Sequence, residues 1–215
     1  SSANPNTQNW DTSQVTNMQS MFENASVANP DTKDWDTSNV TTMLSMFRNA
    51  IAAKPETEDW DTANVTTMRF MFDGATAANP DVTDWDVSNV THMAHMFTNA
   101  DAASPNMAAW QPSASANMNG MFSGTDIGSE RYSELLIQLA AHNTNEGVLL
   151  HGGTAQYSAV GAEARAILTD NRGWQITDGG LLSNNFVDQT SYISASVTTL
   201  DWSKAVIRDR YCAPG

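Results

Sequence analysis

The sequence predicts an α/β solenoid with one short strand and one short helix per 25-residue coil and an α/β C-terminal cap. Three observations carry this prediction. Tryptophan recurs at Trp10, Trp35, Trp60, Trp85 and Trp110, a constant step of 25 residues with no insertion. A Met-Phe pair keeps the same step (Met21-Phe22, Met46-Phe47, Met71-Phe72, Met96-Phe97, Met121-Phe122). So do a second methionine (Met18, Met43, Met68, Met93, Met118) and a proline (Pro5, Pro30, Pro55, Pro80, Pro105). Ten of the eleven methionines and five of the seven tryptophans lie on these columns, which makes the columns the core.

The second coil shows how each element follows. Residues 30–37 read as extended, because Pro30 fixes φ and Thr32, Trp35 and Thr37 suit a pleated surface. Thr37 or Ser38 then serves as a helix N-cap. After it Val40, Met43, Met46, Phe47 and Ala50 fall on one helical face, with Thr41, Thr42, Ser45 and Arg48 on the rest. Ordering each residue costs roughly 1–2 kcal/mol in backbone entropy. The few large side chains of one coil return only about 1.5–3 kcal/mol apiece. A lone coil therefore does not fold, and stability comes from stacking neighbours.

The fifth coil departs from the pattern, as terminal repeats do. Gln111-Pro112-Ser113-Ala114-Ser115 stands where earlier coils read Asp-Thr-Ser-Asn-Val, with Ser115 at the place of the buried valine and Thr125 at that of the alanine. Beyond it, Tyr132, Leu135, Leu136, Leu139 and Ala140 mark an amphipathic helix with Ser129 as N-cap. Residues 148–151 read as a strand closed by Gly152-Gly153. A second helix spans 158–170 with Ala162, Ala166 and Ile167 inward, ended by Gly173 before a last strand at 174–177. The expected division is a five-coil array over 1–125, a capping unit over 126–180, and an extension over 181–215. In that extension residues 192–197 read as a strand and the rest as linker.

The formal net charge of −14 and pI of about 4.3 repel nucleic-acid phosphates and anionic membrane surfaces, and no Lys/Arg cluster offsets them. No apolar run approaches the roughly 20 residues that span a bilayer. The single Cys212 has no partner for an internal disulfide. The opening Ser1-Ser2-Ala3-Asn4-Pro5 falls within a repeat and lacks an initiator Met, so the chain reads as a piece of a longer protein.

Trp-Asp-Thr-Ser-Asn-Val-Thr-Thr-Met (35–43), Met46-Phe47 and Ala50 resemble the BspA-like leucine-rich repeat of bacterial surface proteins. Leu135-Leu136, Gly152-Gly153, Tyr157, Ala164-Arg165, Leu168, Gly173-Trp174 and Ile176-Thr177-Asp178-Gly179 are similar to the cap that often follows those repeats. The resemblance covers about residues 1–180. It implies a leucine-rich-repeat-like solenoid on a secreted or surface-anchored bacterial protein, many of which are adhesins, and it implies no catalytic residues. The chain departs from the family at Thr7, Thr32, Thr57 and Val82, where a larger apolar residue is common.

The recurring acids are the candidate ligand-binding groups: Asp34, Asp59 and Asp84 in one row, and Asp36, Asp61 and Asp86, with Asp11, in another. Asp31, Glu56 and Asp81 stand a few residues earlier. Like charges one rung apart repel by roughly 0.2–1 kcal/mol per exposed pair, which calcium or a cationic ligand would relieve. The alternative for the Asp after each tryptophan is a turn cap through neighbouring backbone amides. Thr12, Thr37 and Thr62, and Thr16, Thr41, Thr66 and Thr91, form hydroxyl rows of the kind found on ice-binding solenoids, or else ordinary surface positions. His92 and His95 stand three apart without an obvious third metal ligand. Phe70 and Leu44 fall at exposed, variable positions. Asn39, Asn64 and Asn89 match the glycosylation pattern because the start of each helix repeats, and a bacterial protein is expected to carry no glycan there. Gly152-Gly153 and Gly179-Gly180 lack phosphate-loop spacing, and Cys212 with His142 or His151 is too generic a pairing for a nucleophile.

The expectation is therefore not an enzyme. It is a cell-surface, extracellular ligand-binding module of a bacterial adhesin, monomeric as an isolated piece, that meets a glycan or protein on another cell through its Asp- and Thr-rich face. Calcium is the candidate cofactor; nucleic acid and membrane insertion are excluded as partners. The competing readings are a non-binding structural spacer in a large surface protein and an ice-binding solenoid.

Overall fold

The computed structural model describes residues 4–183 apart from 108, 114 and 126, so the strand expected at 192–197 lies outside the described residues. The described residues up to Leu182 form one compact unit. Within this unit, the 25-residue coils lie on one another in register. Asn17, Thr42, Thr67, His92 and Asn117 form a column in which each pairs in parallel with the next. From this column alternate N–H groups reach the following coil: Met43 to Thr67 O, Ser45 to Arg69 O, Phe47 to Met71 O and Asn49 to Asp73 O, at 2.7–3.0 Å. The intervening N–H groups turn back three residues within the coil: Met46 to Met43 O, Arg48 to Ser45 O and Ala50 to Phe47 O.

This hydrogen bonding replaces the helix expected over residues 40–50. The segment is a run of tight turns, with Ser45 and Asn49 at φ 55° and 56°. Their counterparts Ser20, Phe70, His95 and Gly120, and Asn24, Gly74, Asn99 and Gly124, also lie in the left-handed region. A left-handed residue breaks the helical path, and its neighbours then find carbonyls on the coil below instead of one turn back. The Met43–Met46 and Phe47–Ala50 turns have both ends buried, so an apolar spacing of three residues is met without a helix. The expected strand is displaced too. Residues 30–40 hold turns closed by Trp35 N–H to Thr32 O and Val40 N–H to Thr37 O, and the pairing falls at the Thr42 column.

The core follows the columns. Val40, Met43, Met46 and Phe47 and their equivalents in coils three and four are fully buried. Phe47, Phe72 and Phe97 stack at 5.6 Å between centroids, and Trp35, Trp60 and Trp85 at 6.3 and 6.1 Å. The indole N–H groups of Trp60, Trp85 and Trp110 donate to Thr32 O, Thr57 O and Val82 O of the preceding coil. Thr7, Thr32 and Thr57 are buried because their hydroxyls donate to Asp31 O, Glu56 O and Asp81 O, at 2.6–2.7 Å. In coil five the chain slips by one residue after Pro112. Ser115 is exposed, and Ala116, whose N–H bonds Ser113 O, takes the buried place expected for Ser115. Thr125 is buried, donating to Phe97 O and accepting from Ala100 N–H.

Past coil five the elements are β1 (Asn117–Met118), α1 (Ser129–His142), β2 (Leu149–His151), α2 (Ala159–Ala166), which runs on into a π-helical turn (Ile167–Asn171), and β3 (Gln175–Thr177). The three strands form a parallel sheet in order β1-β2-β3, with Asn117 opposite Leu149 and Leu149 opposite Gln175. Asn117 also ends the Thr42 column, so β2 and β3 extend that column by two more rungs. Gly128, at φ 70°, stands at the N-cap of α1, and Ser129 is the first helical residue instead of the cap. In and beyond α2 the inward residues are Gly161, Ala164 and Leu168, not Ala162, Ala166 and Ile167. Gly161 sets that face, because a Cβ there would come within 3.0 Å of Ser133 on α1.

Candidate functional site

The turn after each tryptophan is built on aspartate. Asp36 Oδ1 accepts the Ser38 hydroxyl at 2.6 Å and Ser38 N–H at 3.0 Å, and Asp11 does the same with Ser13 at 2.7 and 3.1 Å. Asp61 accepts Ala63 N–H at 3.0 Å and Asp86 accepts Ser88 N–H at 2.9 Å. The serine hydroxyl, followed by the N–H, holds the carboxyls of Asp11 and Asp36 below the ordinary carboxylate range. All four are solvent-exposed with one oxygen committed to the turn. Asp34, Asp59 and Asp84 differ: they are exposed, and no hydrogen bond or ion pair among the described residues engages them.

Calcium needs six to eight oxygens around one point. Among the described residues no three His, Cys, Asp or Glu side chains come together in that way, so the rows do not fit a resident calcium ion. An open groove of about 430 Å³ lies where Asp84, Asp86, Thr83 and Ser88 meet Ala109 and Gln111 of coil five. A larger depression, about 620 Å³, lies at the start of α1 around Ile127, Ser129, Arg131 and Glu134, away from the acidic rows.

Several other sequence candidates have structural employment. Thr12, Thr37 and Thr62 are buried rather than displayed, and Thr37 and Thr62 donate to Asp61 O and Asp86 O. The hydroxyls of Thr41, Thr66 and Thr91 bond the backbone of the preceding coil at 3.0–3.4 Å. The amides of Asn39, Asn64 and Asn89 reach back to Ser13 O, Ser38 O and Ala63 O at 2.8–2.9 Å. His92 bonds Thr91, whereas His95 stacks on Phe70, so the two histidines serve different neighbours.

Sequence reasoning missed one grouping. Phe70 and His95 stack at 5.2 Å, and the guanidinium groups of Arg48 and Arg69 lie 5.0 and 4.5 Å from the Phe70 centroid. Arg48 also bridges Glu23 at 3.4 Å and Asp73 at 3.1 Å. The signal was the coil register itself, since 48 pairs with 73 and 70 with 95 at the 25-residue step. A buried ionic cluster elsewhere is fully partnered. Asp178 accepts from Arg165 Nε at 2.8 Å, Tyr132 OH at 3.0 Å and Gly180 N–H at 3.1 Å. Burial, with the Asp178 charge adding to it, pushes the Tyr132 phenol far above its ordinary value.

Residues 1–56 and 27–134, together more than half of the chain, match the family described as "Mycoplasma protein of unknown function, DUF285". The chain belongs to the DUF285 family. The DUF285 match spans the coils and the first residues of α1. The description of DUF285 assigns no activity, and no curated protein or solved structure matches this DUF285 chain.

Proposed function

We propose that this chain is a repeat-solenoid binding module of a secreted or surface-anchored bacterial adhesin, BspA-like in its coils, that meets a glycan or protein on another cell. The observation that carries the reading is the row Asp34, Asp59 and Asp84. It recurs in three successive coils, faces solvent, and does no work for the coil itself, unlike Asp36, Asp61 and Asp86. A row of unengaged carboxylates one rung apart accepts hydrogen bonds from sugar hydroxyls or pairs with Lys and Arg of a protein. Asp36, Asp61 and Asp86 each keep one oxygen for the same ligand. The link of the DUF285 family with BspA-like surface repeats points the same way. Calcium is left out of the reading, so binding is expected to survive EDTA.

The test is capture of host and bacterial cells, and of a printed glycan array, by the immobilised chain. The Asp34→Asn/Asp59→Asn/Asp84→Asn variant is expected to lose at least tenfold of the signal while keeping its melting temperature. No capture by the unaltered chain would leave the structural spacer instead.

A further inference from the structure

The five coils vary at several columns, and one group of them lies beside the Met and Phe columns. Core positions repeat without change as Met, Met and Phe. Beside them the chain reads Gln19, Leu44, Arg69, Ala94 and Asn119, then Ser20, Ser45, Phe70, His95 and Gly120, and then Glu23, Arg48, Asp73, Thr98 and Ser123. In repeat arrays, one face commonly carries the residues that set binding. At the middle of this strip the backbone sits at φ 57° and 58°, where Gly120 and the small Ser20 and Ser45 are its other occupants. Bulky residues rarely adopt that conformation, and where they do the position is commonly a functional one.

We infer that Arg69, backed by Phe70, Arg48 and His95, forms a binding site for a carboxylated or sulfated saccharide. Arg69 is exposed and has no ion pair among the described residues, in a chain of net charge −14. Its planar fork lies on the Phe70 ring, which limits its motion and leaves its N–H donors for a bidentate carboxylate or sulfate. Arg48 is held on the same ring by Glu23 and Asp73. Thr42 and Thr67 flank the strip with half-buried hydroxyls that accept the Leu44 and Arg69 N–H groups, and Asn119 within it is exposed. The site goes beyond the acidic row and uses different residues.

The test measures binding of the full chain to three forms of one polymer, unmodified dextran, carboxymethyl dextran and dextran sulfate, with poly-L-glutamate as the peptide polyanion. At least one anionic dextran is expected to bind and the unmodified polymer not. Arg69→Gln and Phe70→Ser are expected to weaken that binding at least tenfold, and Lys54→Gln, which removes an exposed charge elsewhere, less than twofold. Should Phe70→Ser fail to fold, Arg69→Gln decides, because its side chain is exposed. Failure of both anionic dextrans to bind, equal effects of Arg69→Gln and Lys54→Gln, or equally tight binding of poly-L-glutamate would each overturn the inference. The triple Asp variant keeps dextran binding if the two sites are separate, so either proposal can fall alone.

Discussion

Asn99→Ala is expected to destabilise the protein by about 1–2 kcal/mol, the cost of an ordinary L side chain in the left-handed region. Asn99 has φ 51°, and its N–H donates to Ser123 O at 2.9 Å, so the residue is held in that conformation by the coil below. On a helix the sign would reverse, because alanine is better than asparagine there by about 0.5 kcal/mol. Asn99→Gly is expected to stay within about 0.5 kcal/mol of the unaltered chain, since glycine takes positive φ without strain. A domain of this size shifts its Tm by about 2–4 °C per kcal/mol. The alanine variant should therefore melt about 2–8 °C lower and the glycine variant within about 2 °C. Thermal and urea unfolding followed by fluorescence of the stacked tryptophans reads both. An alanine variant at or above the unaltered Tm, with the glycine variant below it, would refute the turn geometry.

Arg165→Met leaves the Asp178 carboxylate, 2% exposed, without its cation, and is expected to cost about 3–5 kcal/mol in guanidinium unfolding; a loss under about 1 kcal/mol would show the pair to be idle. Ser38→Ala should move the Asp36 carboxyl up towards its ordinary value in a carboxyl NMR titration, since the hydroxyl is the main cause of its depression. The folded value lies below the unfolded one, so this contribution is present above about pH 4 and is lost as pH falls through the folded pKa; an unmoved titration would remove the hydroxyl as the cause. In hydrogen exchange the amides of Met18, Ser20 and Phe22 should exchange at least about tenfold faster than those of Met68, Phe70 and Phe72. Trp10 is 43% exposed against 4% for Trp60, and the Trp35 indole N–H and Thr12 hydroxyl, both at this first junction, have no partner among the described residues. Uniform protection across the coils would contradict that ranking.

The core was legible because Trp, Met and Phe repeat at one fixed step, and burial follows those columns from Trp35 to Phe122. The backbone between them was not. Val40, Met43, Met46, Phe47 and Ala50 suit a helical face and a run of i to i+3 turns equally, and apolar spacing alone does not choose. The deciding signal was a less conspicuous column, Asn24, Asn49, Gly74, Asn99 and Gly124, the two residue types that tolerate positive φ. Buried Thr32 and Thr57 were misleading because their partners are carbonyls of the next coil, which have no local trace in the sequence. The Arg48–Phe70–His95 contacts were hidden for the same reason: each joins residues more than 20 apart.

Once the register is known, most invariant columns are accounted for by bonds between or within coils. Trp fills the stack and donates its indole N–H, the Asp after it closes a turn, Asn39 and Asn64 reach back one coil, and Thr32 and Thr57 reach forward. What is left divides into two kinds. Asp34, Asp59 and Asp84 repeat without any bond, among the described residues, that would make the coil require them. Phe70 and His95 do the opposite, departing from their neighbours in a backbone conformation that disfavours them. Phe70 and His95 offset part of that cost by stacking on each other across coils, with Arg48 and Arg69 on the Phe70 ring. The two proposed sites rest on these two kinds of exception, one a repeated column that the stack does not use and the other a pair of bulky side chains at positive φ.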